Sequence, residues 1–178
     1  DLVLESGLDV VVPYELNLGR CRLSVAVPDS MNVKRPEDLP DGLVVATSFP
    51  NLTRKYFEKL GKRVDISSIS GAAEIAPHLG VADIIVDLVS SGSTLKMNHL
   101  RELAIIAESQ AVVIANRKAY EGCEQQVQEI ISAMLSVTEA ENKKYLMADV
   151  PKSSLEDVKR AFPGIAGPTI MNIIGRDD

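Results

Sequence analysis

Asp87 interrupts an apolar run, with Ile84-Ile85-Val86 before it and Leu88-Val89 after it. A carboxylate in that setting must be solvated, paired or bound to something. Directly downstream stand Ser90, Ser91, Gly92, Ser93 and Thr94, a loop of hydroxyls around one glycine. Gly92 lets the backbone come close to a ligand or take a positive φ. Bare N–H groups and hydroxyls at the start of a helix suit a phosphate, and a carboxylate beside them suits ribose hydroxyls or a magnesium ion. Each contact to a charged phosphate contributes roughly 1.5–3 kcal/mol, so three or four supply micromolar binding. The same loop also reads as an ordinary strand-to-helix turn capped by Thr94. Asp83 lies four residues before Asp87 and faces the same side of a strand. Glu74 precedes that strand by one short helix and can converge on the same pocket, with His78 able to pair with it one helical turn on.

These residues need a scaffold that delivers a strand end to a loop. Leu43 to Thr47 reads as a short buried strand, and Pro50-Asn51 opens a helix carrying Leu52, Tyr56, Phe57 and Leu60 at helical spacing. Gly61 closes that helix, and Val64 to Ile69 follows as another strand. Strand, helix and strand in close succession make a βαβ unit and hence a parallel sheet. Arg20 to Pro28 alternates, which predicts a strand buried on the face of Cys21, Leu23, Val25 and Val27 alone. Residues 1–12 read as a strand followed by further buried chain. The Arg101 to Asn116 stretch holds two apolar runs broken by Glu108-Ser109-Gln110, where a chain can cross between lobes. From Glu124 onward the pattern is helical, Ser153 to Phe162 reads as a helix, and Thr169 to Ile174 as a last short apolar run.

Strands and helices alternate as in an α/β protein. The formal charge of −6 argues against a nucleic-acid binder, whose affinity rests on Lys and Arg at phosphates. No apolar run approaches the roughly 20 residues of a membrane span. The chain starts without a basic leader, and Cys21 and Cys123 are too few and too far apart for a disulfide framework, so the cytoplasm is the expected compartment.

The segment from Glu74 through Gly80-Val81-Ala82-Asp83 to Asp87-Leu88-Val89-Ser90-Ser91-Gly92-Ser93-Thr94-Leu95 resembles the signature of the ATP phosphoribosyltransferase family. Asp1 to Gly7, Gly19 to Leu23, Ala46 to Thr53, Glu108 to Gln110, Pro163-Gly164 and Gly167-Pro168-Thr169 fit the family in the same order. The resemblance implies transfer of a phosphoribosyl group from phosphoribosyl pyrophosphate to N1 of ATP, with Mg2+ and release of pyrophosphate, as the first step of histidine biosynthesis. It implies that Ser91 to Thr94, with Ser90 and Asp83, bind the 5′-phosphate and ribose. Asp87 would engage the ribose hydroxyls and Glu74 would support it, and no protein-only metal site is implied. The implied fold is two-lobed and periplasmic-binding-protein-like, with parallel-type sheets. Its first lobe would comprise residues 1–22 and 106–148, and its second residues 23–105. Residues 149–178 would open a small α+β regulatory domain that senses histidine. A dimer or hexamer is the implied assembly, and both chain ends look truncated against the family. The alternative from another class is a non-catalytic two-lobed sensor or solute-binding module.

Overall fold

The computed structural model describes residues 1–140, 143–163 and 167–171. The chain divides into two units, Asp1–Leu135 and Ser136–Asp178. In the first, α1 (Leu2–Ser6) and β1 (Val10–Glu15) precede β2 (Cys21–Pro28). Then come β3 (Leu43–Thr47), α2 (Pro50–Lys59), β4 (Val64–Ser68), β5 (Ile84–Val89) and α3 (Ser93–Met97). The unit continues through β6 (Leu100–Ser109), β7 (Val112–Asn116) and α4 (Arg117–Tyr120) into α5 (Glu124–Ala140).

Five strands form one sheet in the order β4-β3-β5-β2-β6. Strands β4, β3 and β5 are parallel, while β2 runs antiparallel to both β5 and β6. The expected parallel sheet is therefore mixed: β2 enters from the opposite end and β6 leaves beside it. Strands β1 and β7 pair separately as an antiparallel ribbon. The chain passes from the five-stranded sheet to this ribbon at Gln110-Ala111, next to the polar break in the sequence.

Position in the sheet overrides the alternation in β2. As a central strand it is covered on both faces, and Leu23, Ser24, Val25, Ala26 and Val27 are all buried, so the expected single buried face is corrected. One face of the sheet packs Leu23, Val25, Val45, Ile84 and Val86 against Phe57 of α2, Phe49 and Leu39. The other packs Ala26, Ala46, Ile85 and Val89 against Ala73, Ala76, Leu95 and Leu100. Alanines on this second face let the 3-10 turn Ala73–Ile75 lie close to the sheet, which replaces the helix expected from Glu74 to Gly80.

The first residues also differ from expectation. Asp1 caps Leu2 N–H and Gly7 closes the turn in the left-handed region at φ 62°, so Leu2 to Ser6 form a helix rather than a strand. Short apolar runs fit either state until their caps decide. Glu5 then accepts from the N–H groups of Asn51 (2.8 Å) and Leu52 (2.9 Å), serving donors that the first turn of α2 leaves open. On α5 the helical pattern holds, but only Ile131 of its apolar set is fully covered, and Ile130 is 60% exposed.

Within the second unit, a 3-10 turn at Lys152–Ser154 leads into α6 (Leu155–Ala161), as the sequence pattern predicts. Gly164 and the end of the run Thr169 to Ile174 lie outside the described residues. Among the described residues no helix is long and apolar enough to cross a membrane.

Candidate functional site

From β3 the chain goes through α2 to β4 on one side, then returns across β3 to β5 on the other. That reversal makes the carboxyl ends of β3 and β5 a topological switch point, where open α/β sheets bind ligands. Asp87 sits at this end of β5, opposite Ser24 of β2 in the antiparallel register. A cleft of about 290 Å3 opens there, lined by Glu74, Asp87, Ser90, Ser91, Gly92 and Thr94 among others. Its size lies at the small end for ligand pockets and suits a sugar phosphate rather than a whole nucleotide.

The carboxyl group of Asp87 is half-buried, and its Oδ1 accepts from Leu88 N–H at 2.7 Å. Burial pushes its pKa above the ordinary 3.8; the Leu88 N–H draws it partly back, and the charge of Glu74 pushes it further up. Two carboxylates facing one cleft in this way repel one another, and a ligand's hydroxyls or a cation would relieve that repulsion. Glu74 reaches the cleft because the small side chains of Ala73 and Ala76 seat its turn against the sheet.

The loop after β5 is shaped by Gly92, which takes φ 76° immediately before α3. Ser91 and Ser93 share a hydroxyl hydrogen bond of 2.9 Å, and the buried Leu95 pins the far end of the loop beside Val89. α3 has only five residues and β6 begins at Leu100, so the helix expected to run on from Thr94 is a little over one turn. The loop's N–H groups and hydroxyls, more than a helix dipole, are thus what it offers an anion. Ser93 belongs to the loop but does not line the cleft, its hydroxyl being turned to Ser91.

Asp83 does not join this group. It precedes β5, and its Oδ2 accepts from Val44 N–H at 2.8 Å while its own N–H donates to Val44 O. Four residues at ~3.3 Å per residue put it about 13 Å from Asp87, at the other end of the strand. Here it extends the pairing of β3 with β5. His78 does not pair with Glu74; its Nε2 lies 2.9 Å from Asn98 O. His78, His99 and Asp29 instead edge a hollow of about 420 Å3 by the carboxyl end of β2, which the antiparallel pairing places at the amino end of β5.

Arg22, which the alternation in β2 puts on the face opposite Cys21 and Leu23, belongs to the neighbourhood of the loop. Arg22 donates from Nη1 to Ser90 O at 2.9 Å and from Nε to Glu102 Oε2 at 2.8 Å. Only the register, with Arg22 opposite Val89, brings it there, and no spacing within its own segment signals it.

Mg2+ prefers hard oxygens and usually takes one or two carboxylates plus substrate phosphates. Among the described residues no three His, Cys, Asp or Glu side chains gather into a metal cage. Glu74 and Asp87 on one cleft nonetheless fit a magnesium ion that arrives with phosphates.

A family model described as ATP phosphoribosyltransferase matches residues 1–136, and one described as HisG, C-terminal domain matches residues 140–178. The ATP phosphoribosyltransferase of Methanopyrus kandleri is 44% identical over 178 residues, covering all of this chain and 62% of that protein. In the ATP phosphoribosyl transferase (HisG:HisZ) complex from Thermotoga maritima, a chain 30% identical superposes with a TM-score of 0.68, over 78% of this chain and 66% of that one. The alkanesulfonate-binding protein SsuA from Xanthomonas axonopodis pv. citri, 18% identical, shares the fold at a TM-score of 0.51, over 78% of this chain and 52% of its own.

Proposed function

This chain belongs to the ATP phosphoribosyltransferase family, and from that premise we propose that its cleft holds the sugar-phosphate part of phosphoribosyl pyrophosphate for transfer to N1 of ATP. The observation that carries the reading is the convergence of Glu74, Asp87, Ser90, Ser91, Gly92 and Thr94 on one cleft at the switch point. In this reading the loop's N–H groups and hydroxyls hold the 5′-phosphate. The Asp87 carboxylate accepts from the ribose hydroxyls, with Glu74 as its neighbour.

The bond from C1′ to the pyrophosphate oxygen breaks as the bond from C1′ to N1 of ATP forms, and positive charge gathers on the sugar. Two carboxylates near the ring favour that charge, and fixing two polyanions in line accounts for more of the rate than any acid or base. Magnesium, when bound with the substrate, screens the charge on the leaving pyrophosphate.

The match over residues 140–178 supports histidine as a feedback effector acting through the second unit. The Thermotoga maritima relative is a complex of two kinds of chain, which supports assembly with other chains; from the family resemblance we propose a dimer or hexamer of this chain. We propose the cytoplasm as its compartment, as expected for a biosynthetic family of this kind. The chain spans 62% of the Methanopyrus kandleri protein's length, so the full transfer is assigned to the whole enzyme.

The test is pyrophosphate release. The whole enzyme is expected to release it only with Mg2+, phosphoribosyl pyrophosphate and ATP together, and Thr94→Val is expected to raise the KM for phosphoribosyl pyrophosphate at least tenfold. Release without ATP, or an unchanged KM, would contradict the reading.

A further inference from the structure

We infer that Arg22, held by Glu102, is a positioning residue that sets the entrance of the phosphate loop; the inference rests on the site reading above. The far end of the loop is secured by buried Leu95 and by Lys96 N–H donating to Gly92 O at 3.2 Å. Its near end, Ser90, is exposed, and the side-chain contact made to it is the Arg22 guanidinium on its carbonyl. Fixing that carbonyl fixes the peptide plane whose other end is the Ser91 N–H, the first amide of the loop.

The guanidinium is itself oriented. Its Nε is bonded to Glu102 of β6, and both side chains are partly shielded, at 31% and 27% exposure. Glu102 stands opposite Ala26 of β2, so the pair reaches along the strand past Ser24. Ser24 is fully buried, and its hydroxyl has no protein partner among the described residues. It stands opposite Asp87 as Arg22 stands opposite Val89, one residue before the loop. Strand β2 therefore backs both halves of the site, and one planar fork ties β6, β2 and the loop together. Lysine does not reproduce this, because its three N–H donors radiate from one freely rotating nitrogen at the tip of the chain, whereas Nε and Nη1 of arginine are separate nitrogens fixed in one plane, one toward Glu102 and one toward Ser90.

The experiment titrates ribose 5-phosphate into the 178-residue chain and its variants by calorimetry, with thermal midpoints measured in parallel. Arg22→Met and Arg22→Lys are each expected to weaken binding about tenfold. Glu102→Gln, which keeps an acceptor for Nε, should stay within about threefold of wild type, and Glu102→Ala should fall with the Arg22 variants. A purely structural role would track the thermal midpoint and show no rescue by glutamine. If Arg22→Met does not fold, Arg22→Lys and the two Glu102 variants decide the matter. Wild-type binding with unchanged affinity in Arg22→Lys would overturn the positioning role and leave the site standing. A wild-type chain that ignores ribose 5-phosphate would overturn the site and this inference together.

Discussion

Asp87→Asn is expected to lower affinity for magnesium phosphoribosyl pyrophosphate at least tenfold while raising the protein's thermal midpoint at neutral pH. Hydrogen bonds from ribose hydroxyls to a charged acceptor are worth about 1.5–3 kcal/mol each, against ~1 kcal/mol for a neutral one. Losing the charge on two such bonds accounts for tenfold or more, at about 1.4 kcal/mol per tenfold. The stability change has the opposite sign because burial and Glu74 together hold the carboxyl's pKa above 3.8 in the folded chain. A folded carboxyl that keeps its proton more tightly than the unfolded chain contributes stability below the unfolded value. That contribution is lost as pH rises through the folded value. At pH 7 the ionised Asp87 therefore costs stability, and asparagine removes the cost while keeping an acceptor for Leu88 N–H. The midpoints of the two proteins should converge below pH 3.8, the ordinary carboxyl value. Ligand affinity of the wild type should fall more steeply than the variant's as the solution is acidified from neutral toward that range, since the ligand's own phosphates take up protons alike in both titrations and only the wild type also loses the Asp87 charge. Thermal melts and titrations across pH check both trends, and a variant that is less stable at neutral pH would contradict this account.

The second large effect is expected at Gly92. Its φ of 76° costs an L side chain ~1–2 kcal/mol, and a β-branched one fits there worst. Space is not the obstacle, since an added Cβ would meet Val89 Cγ1 at an ordinary 3.8 Å. Gly92→Val should therefore fold with reduced stability, but with the Ser91 and Gly92 stretch of the loop displaced from the cleft that it lines. Affinity for phosphoribosyl pyrophosphate should drop at least tenfold. Gly61 provides the control. It has a similar φ of 68° and open space around it, at the end of α2. Gly61→Val should cost a similar amount of stability and leave affinity unchanged. Equal losses of affinity in both variants would show that the Gly92 effect is a loss of folding rather than of loop geometry.

How far the site could be read from sequence depends on whether its parts are contiguous. Asp87 and the residues to Thr94 follow one another, so their types alone suggest a carboxylate beside a phosphate loop. Glu74 lies 13 positions before Asp87, and its place ahead of the strand allows it to converge on the same pocket; the structure supplies the means, an alanine-lined turn packed onto Ile85. Asp83 shares a strand face with Asp87 by period, but periodicity is silent about which strand end carries the ligand. Its carboxylate is occupied by Val44 N–H. Arg22 lies within the Gly19 to Leu23 match, but nothing local shows that it meets Ser90, and nothing local marks Ser24. Their roles arise from the antiparallel register between β2 and β5, which no local pattern encodes. The alternation in β2 was visible, yet it misstated burial, because a central strand is covered on both sides whatever its polar residues. Polar residues at Glu108 to Gln110 interrupt apolar strand material, and the five-stranded sheet gives way to the β1-β7 ribbon next to them, at Gln110-Ala111.

The most direct measurement of the central claim is a calorimetric titration of the chain with phosphoribosyl pyrophosphate and Mg2+, run beside an alkanesulfonate, the ligand class named for a structural neighbour of the same fold. Saturable binding of phosphoribosyl pyrophosphate in the micromolar range is expected, with no heat from the sulfonate. Saturable binding of the sulfonate, with none of phosphoribosyl pyrophosphate, would contradict that claim.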